Sequence, residues 1–465
     1  MKPREYQQRA LDQLKQSGHT GLLAMGLGSG KTATACWAAR DMGAELVLII
    51  APIRTQRGWA RHVEEILGQE LKVLDSKKQG KLNRDAVEAG VPGVYFIGWE
   101  LMRRWYSHKV FDGRAKKEIS KSIPVPFNKV EFDLIIADEW HRASNRNSLN
   151  FQVVSRIKAK HRLALSATPA GNTPSNIWTA LQFLWPNKWG GYWKFCERFF
   201  HMQANAYNYT GYTFGAEKKP GMVRRGTPCY VEVSKEEANP ELPEVIMETV
   251  LVPLNREQRR IYDSWEQQSL AWLDSNPVAV ELPMTLDLRL RQATLGQMTV
   301  TTDPDTGEQS VDYAEDCKSS KLDALIDILR DIQEDEPVVV WVHSQKFIKA
   351  VLYRLRKAGI TCAEISGKSK ADYKDMIDGK VRVIVAQHEA MSEGVDGLQK
   401  VCHIEVWLSL SNTLFINEQA TGRLHRQGQK QPVIRYMIQA EDTIDSRVVG
   451  RLQKRFDVLK ESGLI

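Results

Sequence analysis

Short, unbroken runs of Val, Ile and Leu recur along the chain and constrain its fold more than any other feature. The first half contains ELVLIIAP (45–52), GVYFIG (93–98), FDLIIAD (132–138) and HRLALSAT (161–168). Such runs do not alternate with polar residues, and helix-length polar segments separate them. This pattern is typical of strands that are buried on both faces of a parallel sheet. The first half is therefore predicted to form a doubly wound α/β domain.

The same rhythm returns in the second half. The runs there are PVVVWVH (337–343), GITCAEIS (359–366), VRVIVAQ (381–387), VCHIEVWL (401–408) and VIRYMI (433–438). The intervening stretch is rich in aromatic residues at first and has a helical pattern later, and it is too long for a simple loop. We predict two α/β lobes, residues 1–230 and 231–465. The first has an aromatic extension after about residue 185, and the second has a helical insertion at about residues 254–316.

Composition excludes several other classes of protein. No run approaches the roughly 18 apolar residues of a membrane span, and MKPREYQQRA lacks the apolar core of a secretion signal. The protein is therefore expected inside the cell. The six cysteines are scattered, which argues against a disulfide framework or a four-cysteine zinc site. A formal net charge of +7 suits a polyanionic partner but is weak evidence for one in 465 residues.

The segment GLLAMGLGSGKTATA (21–35) has the pattern of a phosphate-binding loop. Its glycines would let backbone amides approach a triphosphate, Lys31 would reach the β and γ phosphates, and the Thr32 hydroxyl would ligate Mg²⁺. A helix is predicted from about Thr32 to Arg40, with its N-terminus pointing at the anion. The sequence departs from the general pattern at Met25, where glycine is usual. The predicted nucleotide contacts are Gly28, Ser29, Gly30, Lys31 and Thr32.

The run FDLIIADEWHR (132–142) ends on two adjacent carboxylates, Asp138 and Glu139. If this strand lies beside the phosphate loop, Asp138 can hold Mg²⁺ and Glu139 can orient or deprotonate the water that attacks the γ phosphate. The alternative is a strand that emerges into solvent and therefore ends on polar residues. The neighbouring phosphate loop favours the catalytic interpretation.

Further motifs give a resemblance to a known family. Superfamily-two helicase-like motors contain similar motifs in the same order. In this chain the motifs are APIRTQRGW (51–59), DEWHRASN (138–145), SATP (166–169) and QATGRLHRQGQKQPV (419–433). NIWTALQFLWP (176–186), LRQAT (290–294) and KSSKL (318–322) resemble segments of the SWI/SNF-type DNA translocases in that superfamily. The resemblance covers nearly the whole chain. It implies two RecA-like lobes, ATP and Mg²⁺ as cofactors, and sequence-nonspecific binding of double-stranded DNA by a monomer.

The resemblance also implies roles for individual residues. Gln7 falls where these motors read adenine, although it could be a surface glutamine on a first helix. Arg423 and Arg426, three residues apart, are predicted to share one helical face and to reach the γ phosphate, with Gln419 in the same motif. An exposed basic helix is the alternative. A nucleotide-site role is carried over for Gly394, although EGVDG (393–397) departs from the family pattern.

Nucleic-acid contacts are predicted after the strands of both lobes, where backbone amides and side chains could grip phosphates. A solvated surface is the alternative for each position. The candidates are Arg54, Thr55, Gly98, Trp99, Ser344, Gln345, Gly367 and Lys368. The aromatic segment WPNKWGGYWKFCERFF (185–200) could stack on bases, but a core between helices is favoured.

The sequence thus predicts an ATP-hydrolysing motor that moves along duplex DNA in the cytoplasm of a bacterial or phage-infected cell. A helicase that unwinds branched or single-strand-tailed DNA, or RNA, is the main alternative. A nucleotide-gated DNA-binding scaffold is a second, and the hydrolytic residues Lys31, Glu139, Arg423 and Arg426 argue against it. A small-molecule kinase is a third, and it would leave the second lobe without a role.

Overall fold

The computed structural model describes residues 2–105, 108–111, 118–122, 127, 129–204, 211–274, 284–303, 309–367, 373–391 and 397–464. The strands in these ranges are β1 (Gly21–Met25), β2 (Leu46–Ala51), β3 (Leu71–Leu74), β4 (Gly93–Gly98), β5 (His108–Phe111), β6 (Glu118–Ser122), β7 (Phe132–Asp138), β8 (Ala159–Ser166), β9 (Phe200–Ala204), β10 (Tyr212–Glu217), β11 (Tyr230–Val233), β12 (Val245–Val252), β13 (Met298–Thr302), β14 (Gln309–Tyr313), β15 (Val338–Val342), β16 (Cys362–Ile365), β17 (Val383–Gln387), β18 (Ile404–Trp407) and β19 (Val433–Ala440). The α-helices are α1 (Glu5–Gln16), α2 (Lys31–Asp41), α3 (Gln56–Leu67), α4 (Lys78–Glu88), α5 (Trp99–Trp105), α6 (Leu149–Val154), α7 (Ile177–Leu184), α8 (Tyr192–Phe199), α9 (Met222–Gly226), α10 (Lys235–Ala238), α11 (Arg256–Asp274), α12 (Met284–Leu295), α13 (Ser320–Asp331), α14 (Ile348–Lys357), α15 (Lys374–Ile377), α16 (His388–Met391), α17 (Leu414–Thr421) and α18 (Ile444–Glu461).

The chain divides into two compact units. The first contains Met1–Met202, Phe214–Pro240 and Asp457–Ile465, and the second contains Gln203–Thr213 and Glu241–Phe456. The predicted boundary at residues 230 and 231 lies before the observed change of unit. The reason is that β11 pairs with β1 and so belongs to the first sheet.

The first unit contains a seven-stranded sheet in the order β11-β1-β8-β7-β2-β4-β3, and every neighbouring pair is parallel. The four predicted runs correspond to β2, β4, β7 and β8. Because all strands point the same way, the phosphate loop after β1 and the acidic pair at the end of β7 emerge at the same edge of the sheet. Only β8 lies between them.

Helix α2 explains how the phosphate loop is fixed to the core of the first unit. Its sequence, KTATACWAARD, is rich in alanine, and Ala33, Ala35, Trp37 and Ala38 are almost fully buried. Small side chains let a helix pack closely on a sheet, and alanine has the highest intrinsic helix propensity. The predicted helix from about Thr32 to Arg40 is observed with one extra residue at each end.

The second unit contains a six-stranded sheet in the order β12-β19-β18-β15-β17-β16, again with parallel neighbours throughout. All five predicted runs contain a strand of this sheet. The prediction of two doubly wound parallel-sheet lobes is therefore confirmed. Strand β12 was not predicted. It forms the edge of the sheet, and much of its length is exposed.

The segment between the two sheets has the predicted helical character in part. Helices α11 and α12 lie in the predicted insertion, followed by the antiparallel hairpin of β13 and β14. The aromatic segment is mainly core, as favoured from the sequence, because Phe195, Phe199 and Phe200 are buried. Over the ranges described above, no helix combines the length and the apolar character needed to cross a membrane.

Candidate active site

The phosphate loop connects β1 to α2 and depends on two glycines with positive φ. Gly28 has φ 77° and Gly30 has φ 76°, a left-handed conformation that glycine adopts at little cost. A Cβ atom on Gly30 would also lie 2.6 Å from the Gln7 amide nitrogen. Both positions therefore favour glycine for backbone shape, and at Gly30 a Cβ atom would also displace the Gln7 amide. Helix α2 begins at Lys31, so its N-terminal amides face the loop.

The departure at Met25 has a structural explanation. Met25 is the last residue of β1, and its side chain is fully buried in the core cluster of the first unit. The loop itself starts at Gly26, where a Cβ atom would lie 2.8 Å from the Lys235 backbone nitrogen. The close backbone approach thus falls one residue later than the general pattern places it. A side chain at position 25 does not obstruct the loop.

Lys31 lies within the loop. Its Nζ donates hydrogen bonds to the carbonyl oxygens of Met25 at 3.0 Å and Gly26 at 3.4 Å. The side chain is largely buried, so the ammonium group stays close to the loop backbone. An ammonium in this position is ready to exchange carbonyl oxygens for phosphate oxygens.

Helix α1 holds the loop from the other side. The Gln7 Nε2 and the Tyr6 hydroxyl both donate to the Ser29 carbonyl oxygen, at 3.2 Å and 2.9 Å. The Gln7 Oε1 accepts from the Arg4 backbone amide at 2.9 Å. Both ends of the Gln7 amide therefore have partners, and its role in reading adenine stays a prediction. Tyr6 was not predicted to contact the phosphate loop, because no sequence pattern marks it apart from its position beside Gln7.

Asp138 is buried at the end of β7 and is held by two tryptophans. Its Oδ2 accepts from the Trp59 indole at 3.0 Å, and its carbonyl oxygen accepts from the Trp99 indole at 2.9 Å. Burial, together with the negative charge of Glu139, raises the pKa of Asp138 to about 7, while Lys31 and the Trp59 hydrogen bond act in the opposite direction. The effect of Lys31 places its positive charge near this carboxylate.

Glu139 leaves the strand with a strained backbone. Its φ is 52°, which is uncommon for a residue other than glycine. Its amide donates to the Asp138 Oδ1 at 2.9 Å, and its Oε2 lies 3.3 Å from the His141 Nδ1. Asp138 is the last residue of β7, whereas Glu139 turns out of the strand. Strain of this kind is frequently found at functional sites.

Thr32 and Asp138 fit a magnesium ion. Both follow strands at the same sheet edge, and a hydroxyl and a carboxylate are hard oxygen ligands of the kind that Mg²⁺ prefers. Thr32 is half-buried, and within the described part of the chain its hydroxyl makes no hydrogen bond. Two protein ligands are typical of a Mg²⁺ ion that completes its shell with water and phosphate oxygens. The residues present therefore suit the ion that the phosphate loop implies.

The SATP segment follows β8, the strand between β1 and β7. The buried Ser166 hydroxyl accepts from the Thr168 backbone amide at 3.1 Å, which closes a tight turn. The Thr168 Oγ1 is buried and has no hydrogen-bond partner within the described ranges. The segment therefore lies at the same sheet edge as the phosphate loop and the acidic pair.

The arginine segment belongs to the second unit, and the prediction of one helical face was wrong. Helix α17 ends at Thr421, and Arg423 and Arg426 lie in the following turns. The buried Gln419 is on the helix itself. Gly422 ends the helix, and the Arg423 amide bonds to the Ala420 carbonyl, which starts a tighter turn.

Two glutamines fix the path of the arginine segment. The Gln399 Nε2 donates to the Gln427 carbonyl oxygen at 3.2 Å, and the Gln429 Nε2 donates to the Cys402 carbonyl oxygen at 2.9 Å. Both glutamines are buried. Gln399 was missed in the sequence because its partner is 28 residues away. Gly394, the other predicted nucleotide contact in this unit, lies outside the described residues.

The predicted nucleic-acid contacts differ in exposure. Arg54 is exposed and Thr55 is half-buried, with its hydroxyl donating to the Pro52 carbonyl. Gly98 and Trp99 are buried, so the Trp99 side chain is unsuited to binding DNA and holds Asp138 instead. The prediction is corrected for the Trp99 side chain, and the backbone amides of Gly98 and Trp99 stay candidates.

In the second unit the structure brings three candidates together. Gln345 follows Ser344, and its Nε2 donates to the Ser366 hydroxyl at 3.5 Å, next to the exposed Gly367. The carboxyl ends of β15 and β16, which both pair with β17, produce this arrangement. Lys368 lies outside the described residues.

The parallel sheets and the phosphate loop define a protein of the phosphate-loop class with two RecA-like lobes. The family described as SNF2-related domain matches residues 6–296, which is more than half of the chain. The chain belongs to the SNF2-related family.

Two curated relatives and one solved structure are similar to this chain. An uncharacterized ATP-dependent helicase of Mycoplasma genitalium is 22% identical over 97% of this chain and 41% of its own length. Another, from Bacillus subtilis, is 24% identical over 74% of this chain and 61% of its own length. The chain thus spans less than two thirds of either relative. The Hef helicase domain of Pyrococcus furiosus has the same fold, with a TM-score of 0.55, 15% identity and coverage of 96% and 97% of the two chains.

Proposed function

We propose that this chain is an ATP-hydrolysing motor that moves along double-stranded DNA. The observation that carries the proposal is the convergence of the phosphate loop and the Asp138–Glu139 pair at one edge of the first sheet. Family membership adds to it, and the curated relatives are named ATP-dependent helicases. The motor would act as a monomer in the cytoplasm of a bacterial or phage-infected cell.

The first unit would hold the nucleotide. The loop amides and Lys31 would bind the β and γ phosphates, with the ammonium exchanging its two carbonyl partners for phosphate oxygens. Thr32 and Asp138 would hold Mg²⁺, which supplies charge neutralisation and a fixed geometry for phosphoryl transfer. Glu139, turned out of the strand, would orient the attacking water and accept its proton.

Arg423 and Arg426 would complete the site in the hydrolysing state. A guanidinium is always charged and offers a planar set of donors, which suits the charge on the equatorial phosphate oxygens during transfer. Because these arginines belong to the second unit, hydrolysis would require the units to close around ATP. Each cycle of closing and reopening would move one unit relative to the other.

The exposed Arg54 and the Gln345–Gly367 group are the candidates for holding DNA. Contacts of this kind would bind phosphates rather than base edges, so binding would be insensitive to sequence and weakened by salt. A motor follows if both units hold the same duplex while their spacing changes.

The decisive experiment measures ATP hydrolysis without nucleic acid, then with duplex DNA, single-stranded DNA, forked DNA and RNA. We expect duplex DNA to give the largest stimulation. Stronger stimulation by single-stranded DNA or RNA than by duplex would favour the helicase alternative. Binding of DNA without any hydrolysis would favour the nucleotide-gated scaffold. The Lys31→Ala variant is the control for contaminating ATPases.

A further inference from the structure

The aromatic segment of the first unit is not entirely core. Trp193 is 40% exposed, although its neighbour Tyr192 is 9% exposed and Phe195 is 1% exposed. The Trp193 ring lies 5.2 Å from the Tyr192 ring and 6.3 Å from the Phe214 ring. The cluster thus presents one large exposed ring beside the buried Tyr192 and the half-buried Phe214. Neither the phosphate site nor the predicted DNA contacts use it.

Arg146 lies over this cluster. Its guanidinium carbon is 4.4 Å from the Tyr192 ring centre and 5.3 Å from the Trp193 ring centre. Within the described ranges no carboxylate lies within ion-pair distance of Arg146. This distinguishes it from Arg84, which lies over Trp105 at 4.5 Å but is paired with Glu88 at 2.8 Å. Stacking fixes the guanidinium plane and leaves its edge donors available.

The sequence around this cluster is basic. Between residues 188 and 225 it contains seven Lys or Arg residues and two Glu residues, although Arg224, at the end of the range, is paired with Glu232. One of the two, Glu217, is buried, and its carboxylate accepts from the backbone amides of Met222 and Val223. Lys194, next to Trp193, is exposed. A basic surface of this kind suits a polyanion such as nucleic acid.

We propose that Arg146 and Trp193 form a binding site for an unpaired nucleotide of DNA. An exposed indole can stack on a base of any identity, and a guanidinium held beside it can bind the adjacent phosphate. Bases inside a duplex are already stacked on each other, so the site selects a strand that has left the duplex. The site rests on the proposed function and deepens it, because it adds a contact by which a motor that moves on duplex DNA would bind more tightly where a single-stranded tail is attached.

Arg146 is close in sequence to the proposed ATP site. It follows Glu139 by seven residues, through a 3-10 turn at residues 140–143. The turn is anchored because Trp140 is buried, stacks on Phe183 at 4.7 Å and donates to the Thr179 hydroxyl at 3.2 Å. A short segment, anchored by Trp140, therefore joins the proposed general base Glu139 to Arg146 in the proposed site for an unpaired DNA nucleotide.

The test compares the dissociation constants of blunt duplex DNA and of the same duplex with a single-stranded tail, by fluorescence anisotropy. The parent protein should bind the tailed DNA more tightly. Trp193→Ala should weaken binding of tailed DNA about tenfold and change blunt-duplex binding less than about twofold. Trp193→Leu, which retains an apolar side chain, should behave like Trp193→Ala and guards against a folding defect.

Arg146→Ala should weaken tailed-DNA binding and lower the salt dependence of that binding by about one phosphate contact. Arg84→Ala is the matched control, because Arg84 also stacks on a tryptophan but has a carboxylate partner. It should leave both affinities unchanged. Equal loss of blunt and tailed binding in the Trp193 variants would overturn the assignment to an unpaired nucleotide, and unchanged tailed binding would remove the site altogether. A parent protein whose ATPase ignores all DNA would instead contradict the proposed function.

Discussion

Asp138 and Glu139 are adjacent in sequence, yet the structure gives their carboxylates different environments. Asp138 stays in the sheet, where two indoles and the following amide satisfy its carboxylate and its carbonyl. Glu139 leaves the strand in a left-handed conformation and contacts His141. The difference suits a division of roles in which one carboxylate is fixed for a metal and the other faces a nucleophile.

Replacing Glu139 with Gln should separate binding from chemistry. The amide retains the size of the side chain but cannot accept a proton, so ATP should still bind while turnover is abolished. Equilibrium binding of a fluorescent ATP analogue and steady-state hydrolysis would be measured side by side. Undiminished hydrolysis would mean that another carboxylate is the base.

Trp59→Phe should destabilise the first unit by about 2 kcal/mol, because it removes a hydrogen bond to a buried carboxylate. Trp140→Phe is the matched control, since its indole donates to a neutral hydroxyl and its loss should cost about 1 kcal/mol. Urea unfolding followed by circular dichroism measures both, at a pH well above 7, where the Asp138 carboxylate is ionised. Equal losses of unfolding free energy in Trp59→Phe and Trp140→Phe would show that the charge of Asp138 contributes nothing to its hydrogen bond with Trp59.

At the scale of elements, long unalternating runs predicted the strands well, since burial on both faces leaves an unambiguous pattern. The edge strands β3, β11 and β12 and the short strand β1 were missed, because β3 and β11 have only four residues each and the apolar run of β12 is interrupted by Glu248 and Thr249. The turn that carries Arg423 and Arg426 was predicted as a helix because spacing alone does not reveal where a helix ends. Trp59 could not be assigned to Asp138 from the sequence. Their contact depends on β2 lying beside β7, and the sheet order was unknown.

Helix α13 is joined to the start of α18 by a buried ion pair. The Lys321 Nζ lies 2.6 Å from the Asp445 Oδ2 and also donates to the Leu408 carbonyl oxygen at 2.8 Å. The Lys321 side chain is 1% exposed. Lys321→Met should destabilise the second unit by about 3–5 kcal/mol, because it leaves Asp445 charged without its cation.

Lys318→Met is the control for this prediction. Lys318 is paired with Glu257 at 3.0 Å but its side chain is 66% exposed, so its loss should change the free energy of unfolding by less than about 0.5 kcal/mol. The double variant Lys321→Met with Asp445→Asn should recover part of the loss. Denaturant unfolding would measure all three, and a single Lys321 variant as stable as the parent would contradict the importance of the pair.

At the scale of the molecule, the proposed motor depends on two parallel sheets that contribute different parts of one chemistry. The first supplies the phosphate loop and the acidic pair, and the second supplies the arginine segment. This division was predictable because each part carries its own local motif. The fixing of the arginine segment by Gln399 and Gln429 was not, since it depends on contacts across the second unit.

Arg426→Ala should slow ATP hydrolysis by roughly a thousandfold or more while leaving nucleotide affinity nearly intact. The physical reason is that the guanidinium would meet the phosphate charge that develops during transfer, and the loop of the first unit would still bind the ground state. Lys430→Ala, which removes an exposed cation from the same segment, is the control and should keep its rate. A rate for Arg426→Ala within a few-fold of the parent would remove this arginine from the site.

The position of β1 at residues 21–25 has a consequence for biosynthesis. Its first sheet partner to be made, β8, ends at Ser166, so a ribosome adding ~5–20 residues per second leaves this apolar segment without a sheet neighbour for roughly 7 to 28 seconds. The seven-stranded sheet is complete only after the chain has emerged past residue 233, where its edge strand β11 ends. Until β8 has been made, the nascent chain exposes the apolar residues of β1, and we expect chaperones that act during translation to bind there.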